Sequence, residues 1–129
     1  MRRDAHRRFH GSVKVTELEG LREQMRDFAA ARDWDQFHSP KNLAMALSVE
    51  ASELLETFQW LTEEQSRKLT PEAFAAASDE VADVLLYLIR LSDKLGIDPI
   101  AAARRKLLAN AEKYPADKAR GNIKKYTEL

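Results

Sequence analysis

Four carboxylates stand where their spacing lets them act together. Glu50 and Glu53 are three residues apart, and so are Glu80 and Asp83. On a helix that step places two side chains on one face, about 5–6 Å apart at Cβ. Glu50 lies seven residues after Leu43, three after Leu47 and four before Leu54, so it interrupts a stripe that should be apolar. Asp83 interrupts another, two residues after Val81 and one before Val84. Two such helices packed together can aim four carboxylates at one point. Burying that much negative charge uncompensated is costly, and a divalent cation is the natural partner. The chain has no cysteine and places no histidine beside these acids, so the ligand set is all oxygen. Oxygen ligands select Mg²⁺, or Mn²⁺, over zinc. The plainer alternative is a solvated acidic face paired with Lys and Arg. Two interrupted apolar stripes with few basic residues near them in sequence favour the metal. Glu56, one turn beyond Glu53, is a further candidate, to orient a second metal or a water.

The elements that must position these residues are helices. Thr16 and Glu19 form a capping box, and Leu18, Leu21, Met25 and Phe28 follow at three- and four-residue steps, a stripe running to about Arg32. Ser39-Pro40 opens a second helix carrying Leu43, Leu47, Leu54, Phe58 and Leu61. Thr62 with Gln65 opens a short polar helix, and Thr70-Pro71 starts a third long one through Phe74, Val81, Val84, Leu85, Leu88, Leu91 and Leu95. Gly96 supplies its left-handed stop. From Val84 to Leu91 this helix is apolar nearly all round, which makes it the expected central and most buried one. Asp98-Pro99 opens a fourth, ended by Pro115. The fold class is all-α, a four-helix-type bundle.

Aromatic residues flank the acids. Trp34, Phe37 and His38 fall in the linker after the first helix, Trp60 ends the second, and Tyr87 lies one turn after Asp83. A flat aromatic cleft beside a metal is what stacking a nucleobase requires, although each ring taken alone reads more readily as core or rim packing. Lys113 and Tyr114, with Lys118, Arg120, Lys124 and Lys125, can offer cations and donors to phosphates, or form a helix end and a solvated tail.

Composition bounds the rest. The 129 residues suit one domain. With 44% hydrophobic and 33% charged residues this is not a disordered chain. Its 21 basic and 21 acidic residues cancel, but unevenly: residues 1–12 hold four Arg against Asp4, and residues 113–129 hold five cations against Asp117 and Glu128. An acidic centre is a poor match to a nucleic acid polymer, whose affinity comes mostly from phosphate neutralisation. The apolar run Val84–Ile89 is far too short to cross a membrane, and the N-terminal arginines lack the apolar segment of a secretory signal. The expectation is a cytoplasmic protein with a basic extension over 1–15 (His6 and His10 included), a helical domain over 16–115 and a basic tail over 116–129.

These residues together resemble a known family. Glu50-x-x-Glu53, 26 residues, then Glu80-x-x-Asp83 is the metal-binding pattern of the MazG-like all-α nucleoside triphosphate pyrophosphohydrolases. Arg32-Asp-Trp-Asp-Gln-Phe-His38, Ser39-Pro-Lys-Asn42, Phe58-Gln-Trp60, Asp79-Glu-Val-Ala-Asp-Val-Leu-Leu-Tyr87, Asn110-Ala-Glu-Lys-Tyr-Pro115 and Lys125-Tyr-Thr-Glu128 resemble the dCTP pyrophosphatase branch, over about residues 17–128. The resemblance implies Glu50, Glu53, Glu80 and Asp83 as Mg²⁺ ligands, and Trp34, His38, Trp60 and Tyr87 as a base pocket. Asn110, Lys113 and Tyr114 are expected as further substrate-binding positions. One position departs: the branch carries a substrate histidine nine residues before the tryptophan, where this chain has Met25. The implied reaction is hydrolysis of a (deoxy)nucleoside triphosphate, dCTP or a 5-modified dCTP foremost, to the monophosphate and pyrophosphate, by water attack at the α-phosphorus. The implied role is cleansing of the nucleotide pool, and the implied assembly is a homodimer or homotetramer. A non-catalytic nucleotide sensor or a helical oligomerisation module would share the bundle, but the second leaves the interrupting acids unexplained.

Overall fold

The computed structural model describes residues 17–129, and among them the regular structure is helical throughout. The Thr16 capping box and the 1–15 extension lie outside the described residues. Helix α1 spans Glu17–Ala31, α2 Pro40–Phe58, α3 Glu63–Arg67, α4 Pro71–Leu95, α5 Pro99–Lys113 and α6 Ala116–Ala119, with 3₁₀ turns at Asp35–Phe37 and Tyr126–Glu128.

The caps explain where these helices begin. Ser39 Oγ accepts from the backbone N–H of Asn42, Thr70 Oγ1 from Ala73, and Asp98 Oδ1 from Ile100 and Ala101. Each satisfies donors that a first turn otherwise leaves orphaned, and each is followed by proline at the first helical position. Thr62 and Gln65 close a reciprocal capping box at 2.9 and 3.1 Å. Helix α4 stops at Gly96, whose φ of 68° is left-handed.

The described residues divide between Gly96 and Ile97 into two compact units. In the first, α4 is the axis: α2 packs along it and α1 packs against it. The core between them is thin. Ala29 on α1, Leu43 on α2, and Ala77 and Ile89 on α4 are its buried apolar residues. As expected, α4 is the central helix and holds more of the buried residues than any other, yet one of its sides stays open. Phe74, Val81, Leu85 and Leu88, at steps of seven, four and three residues, form one stripe of α4 whose members are each more than 40% exposed. Helices α1 and α2 leave this stripe uncovered.

The second unit holds α5, α6 and the final turn. Tyr114 meets Tyr126 edge-to-face at 6.1 Å, and the Lys113 ammonium lies 5.0 Å from the Tyr126 ring centre. Asn122 accepts from Lys124 N–H and donates to the Lys118 carbonyl. The basic tail thus carries local structure of its own.

Candidate functional site

Helices α2 and α4 deliver the acids. Carboxylate oxygens of Glu50, Glu80 and Asp83 all lie within 4.8 Å of one another. One oxygen each of Glu50 and Glu80 is shut from solvent with no hydrogen-bond donor. A buried acceptor without a donor is rare and costly, and two of them in one acidic cluster call for a cation. Partial burial first, then the neighbouring Glu53, Asp83 and Glu80 carboxylates, push the Glu50 carboxyl up to about 7. Glu80 is raised for the same reasons, burial first and the Glu53 charge next. Glu53 stands outside the group of three, one turn along α2, yet its charge acts on both half-buried acids, Glu50 and Glu80. The donor set, oxygen only and rich in charge, fits a hard divalent cation. Glu56 is exposed on α2.

The aromatic residues are only partly gathered. Trp34 and His38 lie 6.5 Å apart, and Phe28 packs edge-to-face on Trp34 at 5.7 Å. The backbone explains this placement. Asp33 takes φ of 54°, so that its N–H reaches the Ala30 carbonyl and the Trp34 N–H reaches that of Ala29. This is a Schellman stop with aspartate in the left-handed position, and the residue after it folds back onto the helix. Gln36 Nε2 donates to the Asp33 carboxylate and carbonyl, and Asn42 Nδ2 ties the Phe37 carbonyl to α2. Trp60 follows α2 in a turn and is 86% exposed, while Tyr87 is half-buried on α4. Asn110, Lys113 and Tyr114 belong to the second unit.

The sequence reading missed a buried charge network. Arg90, on α4, is 3% exposed. Its Nη2 donates to Asp35 at 2.7 Å, its Nε donates to His38 Nδ1 at 3.2 Å, and its Nη1 approaches Asp93 at 3.5 Å. Arg26 of α1 forks onto both oxygens of Asp93, and Lys94 reaches Asp35. The Asp35 carboxyl is held below its usual range chiefly by Lys94, and that of Asp93 chiefly by Arg26. The available signal was a lone arginine in the apolar run Leu88-Ile89-Arg90-Leu91.

Comparison with known proteins places this arrangement in a family. The MazG-like family profile matches residues 45–129. The human protein named dCTP pyrophosphatase 1 is 43% identical over 124 residues, covering 95% of this chain and 72% of that protein. The mouse protein of the same name is 42% identical over 127 residues, covering 97% and 74%. The crystal structure of a pyrophosphatase from Archaeoglobus fulgidus superposes with a TM-score of 0.71 at 41% identity, covering 75% of this chain and 91% of that one. The chain therefore belongs to the MazG-like family, as a pyrophosphohydrolase of the dCTP pyrophosphatase kind.

Proposed function

We propose that this protein hydrolyses dCTP, or a 5-modified dCTP, to the monophosphate and pyrophosphate in a Mg²⁺-dependent reaction that cleanses the nucleotide pool of the cytoplasm. The observation that carries the reading is the pair of donorless, shielded oxygens on Glu50 and Glu80 beside Asp83, in a chain whose relatives are named dCTP pyrophosphatases. Glu50, Glu80 and Asp83, with Glu53 at the edge of the cluster, would hold Mg²⁺, or Mn²⁺ in its place. When bound, the cation supplies neutralisation of charge developing on the phosphates.

The chain's own residues do the rest. Glu56 orients the water that attacks the α-phosphorus. Trp34, Trp60 and Tyr87 give the base a stacking surface, and His38 reads its edge. Lys113, Asn110 and Tyr114 offer a cation and hydrogen bonds to phosphate oxygens. The protein acts as a homodimer or homotetramer, a reading supported by the uncovered α4 stripe, and its partner molecule is the nucleotide rather than a nucleic acid polymer.

The test is pyrophosphate release from a panel of canonical and 5-modified dNTPs and NTPs, with Mg²⁺ and with EDTA. Release led by a cytosine deoxynucleotide and abolished by EDTA is expected. Glu80→Gln and Asp83→Asn should each lower kcat/KM at least about 100-fold, some 2.7 kcal/mol. Silence across the panel from folded protein would point to a non-catalytic nucleotide sensor or oligomerisation module instead.

A further inference from the structure

Buried arginines usually spend their donors on carboxylates, which repay the cost of burial. Arg90 does so with Nη2 and Nη1, but its Nε–H goes to a ring nitrogen, His38 Nδ1. That choice has a chemical consequence. A guanidinium has five donors and no acceptor, and it does not deprotonate in proteins. While it donates to Nδ1, that nitrogen must keep its lone pair. Both the Nδ1–H tautomer and the imidazolium are then disfavoured, and the ring proton stands on Nε2.

The groups around the ring act in the same direction. Partial burial comes first, and the cations of Arg90 and Lys94 next, in holding His38 below its usual titration range, against the weaker pull of Asp35. Arg90 cannot easily swing away, because Asp35 and Asp93 hold its other end. Asp93 is itself clamped by Arg26 from α1, and Asp35 by Lys94. The 3₁₀ turn that carries Asp35 is tied to α2 through Asn42, so ring and guanidinium share one frame.

We propose that Arg90 is a positioning residue that fixes His38 as a neutral Nε2–H donor beside Trp34, and that this donor selects a pyrimidine whose N3 is an acceptor. Cytosine offers N3 and O2 as acceptors, whereas thymine and uracil carry a proton on N3. A single tautomer therefore discriminates between pyrimidines at N3, because the wrong base sets the His38 donor against another donor. This rests on the reading of His38 as a base contact.

The first measurement is the long-range ¹⁵N–¹H spectrum of the histidine rings in the full-length protein, with His38 assigned by its loss in His38→Asn. At pH 7.5 and at pH 6.5 the His38 Nδ1 should be pyridine-like and Nε2 pyrrole-like, and dCMP should shift Nε2. An Nδ1–H tautomer or an imidazolium at either pH overturns the proposal, and this readout needs no Arg90 variant to fold. Arg90→Lys keeps the charge but loses the Nε donor. It should mix the tautomers, raise the His38 titration and cut the preference for dCTP over dTTP by about tenfold, the scale of one hydrogen bond. Unchanged tautomer and preference in that variant would overturn the role of Arg90. The two layers separate with His38→Ala. If it leaves KM unchanged for every nucleotide, the base contact itself is wrong and the selection falls with it. If KM rises while the wild-type tautomer is Nδ1–H, the base contact stands, and the Arg90 role and the selection by an Nε2–H donor are both lost.

Discussion

At the scale of single residues, the site works by crowding like charges and denying them donors. Glu50 illustrates the consequence for pH. Its carboxyl titrates near 4.5 when unfolded and is pushed up to about 7 in the fold. Between those values the native protein binds more protons than the unfolded chain, so stability falls as pH rises. In EDTA, the melting temperature should therefore decline from about pH 4.5 to 7, and Glu50→Gln, which carries no charge to bury, should flatten that decline. A profile in EDTA that rises over this window would contradict the crowding. Trp60 makes the opposite case. It is 86% exposed, so Trp60→Ala should change stability by no more than about 0.5 kcal/mol, yet raise KM for the preferred nucleotide about tenfold through lost stacking. Urea titration beside steady-state kinetics reads both. An unchanged KM would leave Trp60 without a part in binding.

At the scale of elements, helix starts were the most legible part of the sequence. Ser39, Thr70 and Asp98 cap where their types and following prolines say they should, Thr62 caps through its box with Gln65, and Gly96 stops α4. These signals are local, which is why a sequence carries them. The end of α1 was harder to read, because its left-handed residue is Asp33 rather than glycine. Asp33→Ala should cost about 1 kcal/mol more than Asp33→Gly, since only alanine meets the Cβ penalty of that conformation. Thermal melts of the two variants measure the difference. The acidic pairs were legible because they break an apolar period. The Arg90 network was not, since its partners Asp35 and His38 lie 55 and 52 residues away and nothing in the spacing joins them. Leu43 is the buried anchor of α2. It is 1% exposed and the one large side chain among the described residues to be fully buried. Leu43→Ala should cost about 2–5 kcal/mol by denaturant unfolding, the usual range for a truncated core leucine.

At the scale of the whole molecule, the thin core and the open stripe belong to one problem. Helix α4 packs against α1 and α2 and leaves Phe74, Val81, Leu85 and Leu88 each more than 40% exposed. In the proposed oligomer a second copy of the chain would supply cover and close by two-fold symmetry, each stripe facing its twin. Burying the exposed half of such a side chain is worth about 1 kcal/mol, and symmetry doubles the gain across four positions. That sum is of the order of the translational and rotational cost of association, so the surrounding surface has to contribute as well. Light scattering behind size-exclusion chromatography should give a mass at least twice the 14.7 kDa of the chain. Leu88→Glu, which brings two carboxylates face to face at the seam, should move the protein to 14.7 kDa with its helical circular dichroism retained. A wild-type mass of 14.7 kDa at every concentration would mean that the stripe stays wet. The acids of the site share α4 with this stripe, so a monomeric Leu88→Glu that retains full turnover would also show that one chain suffices for the chemistry.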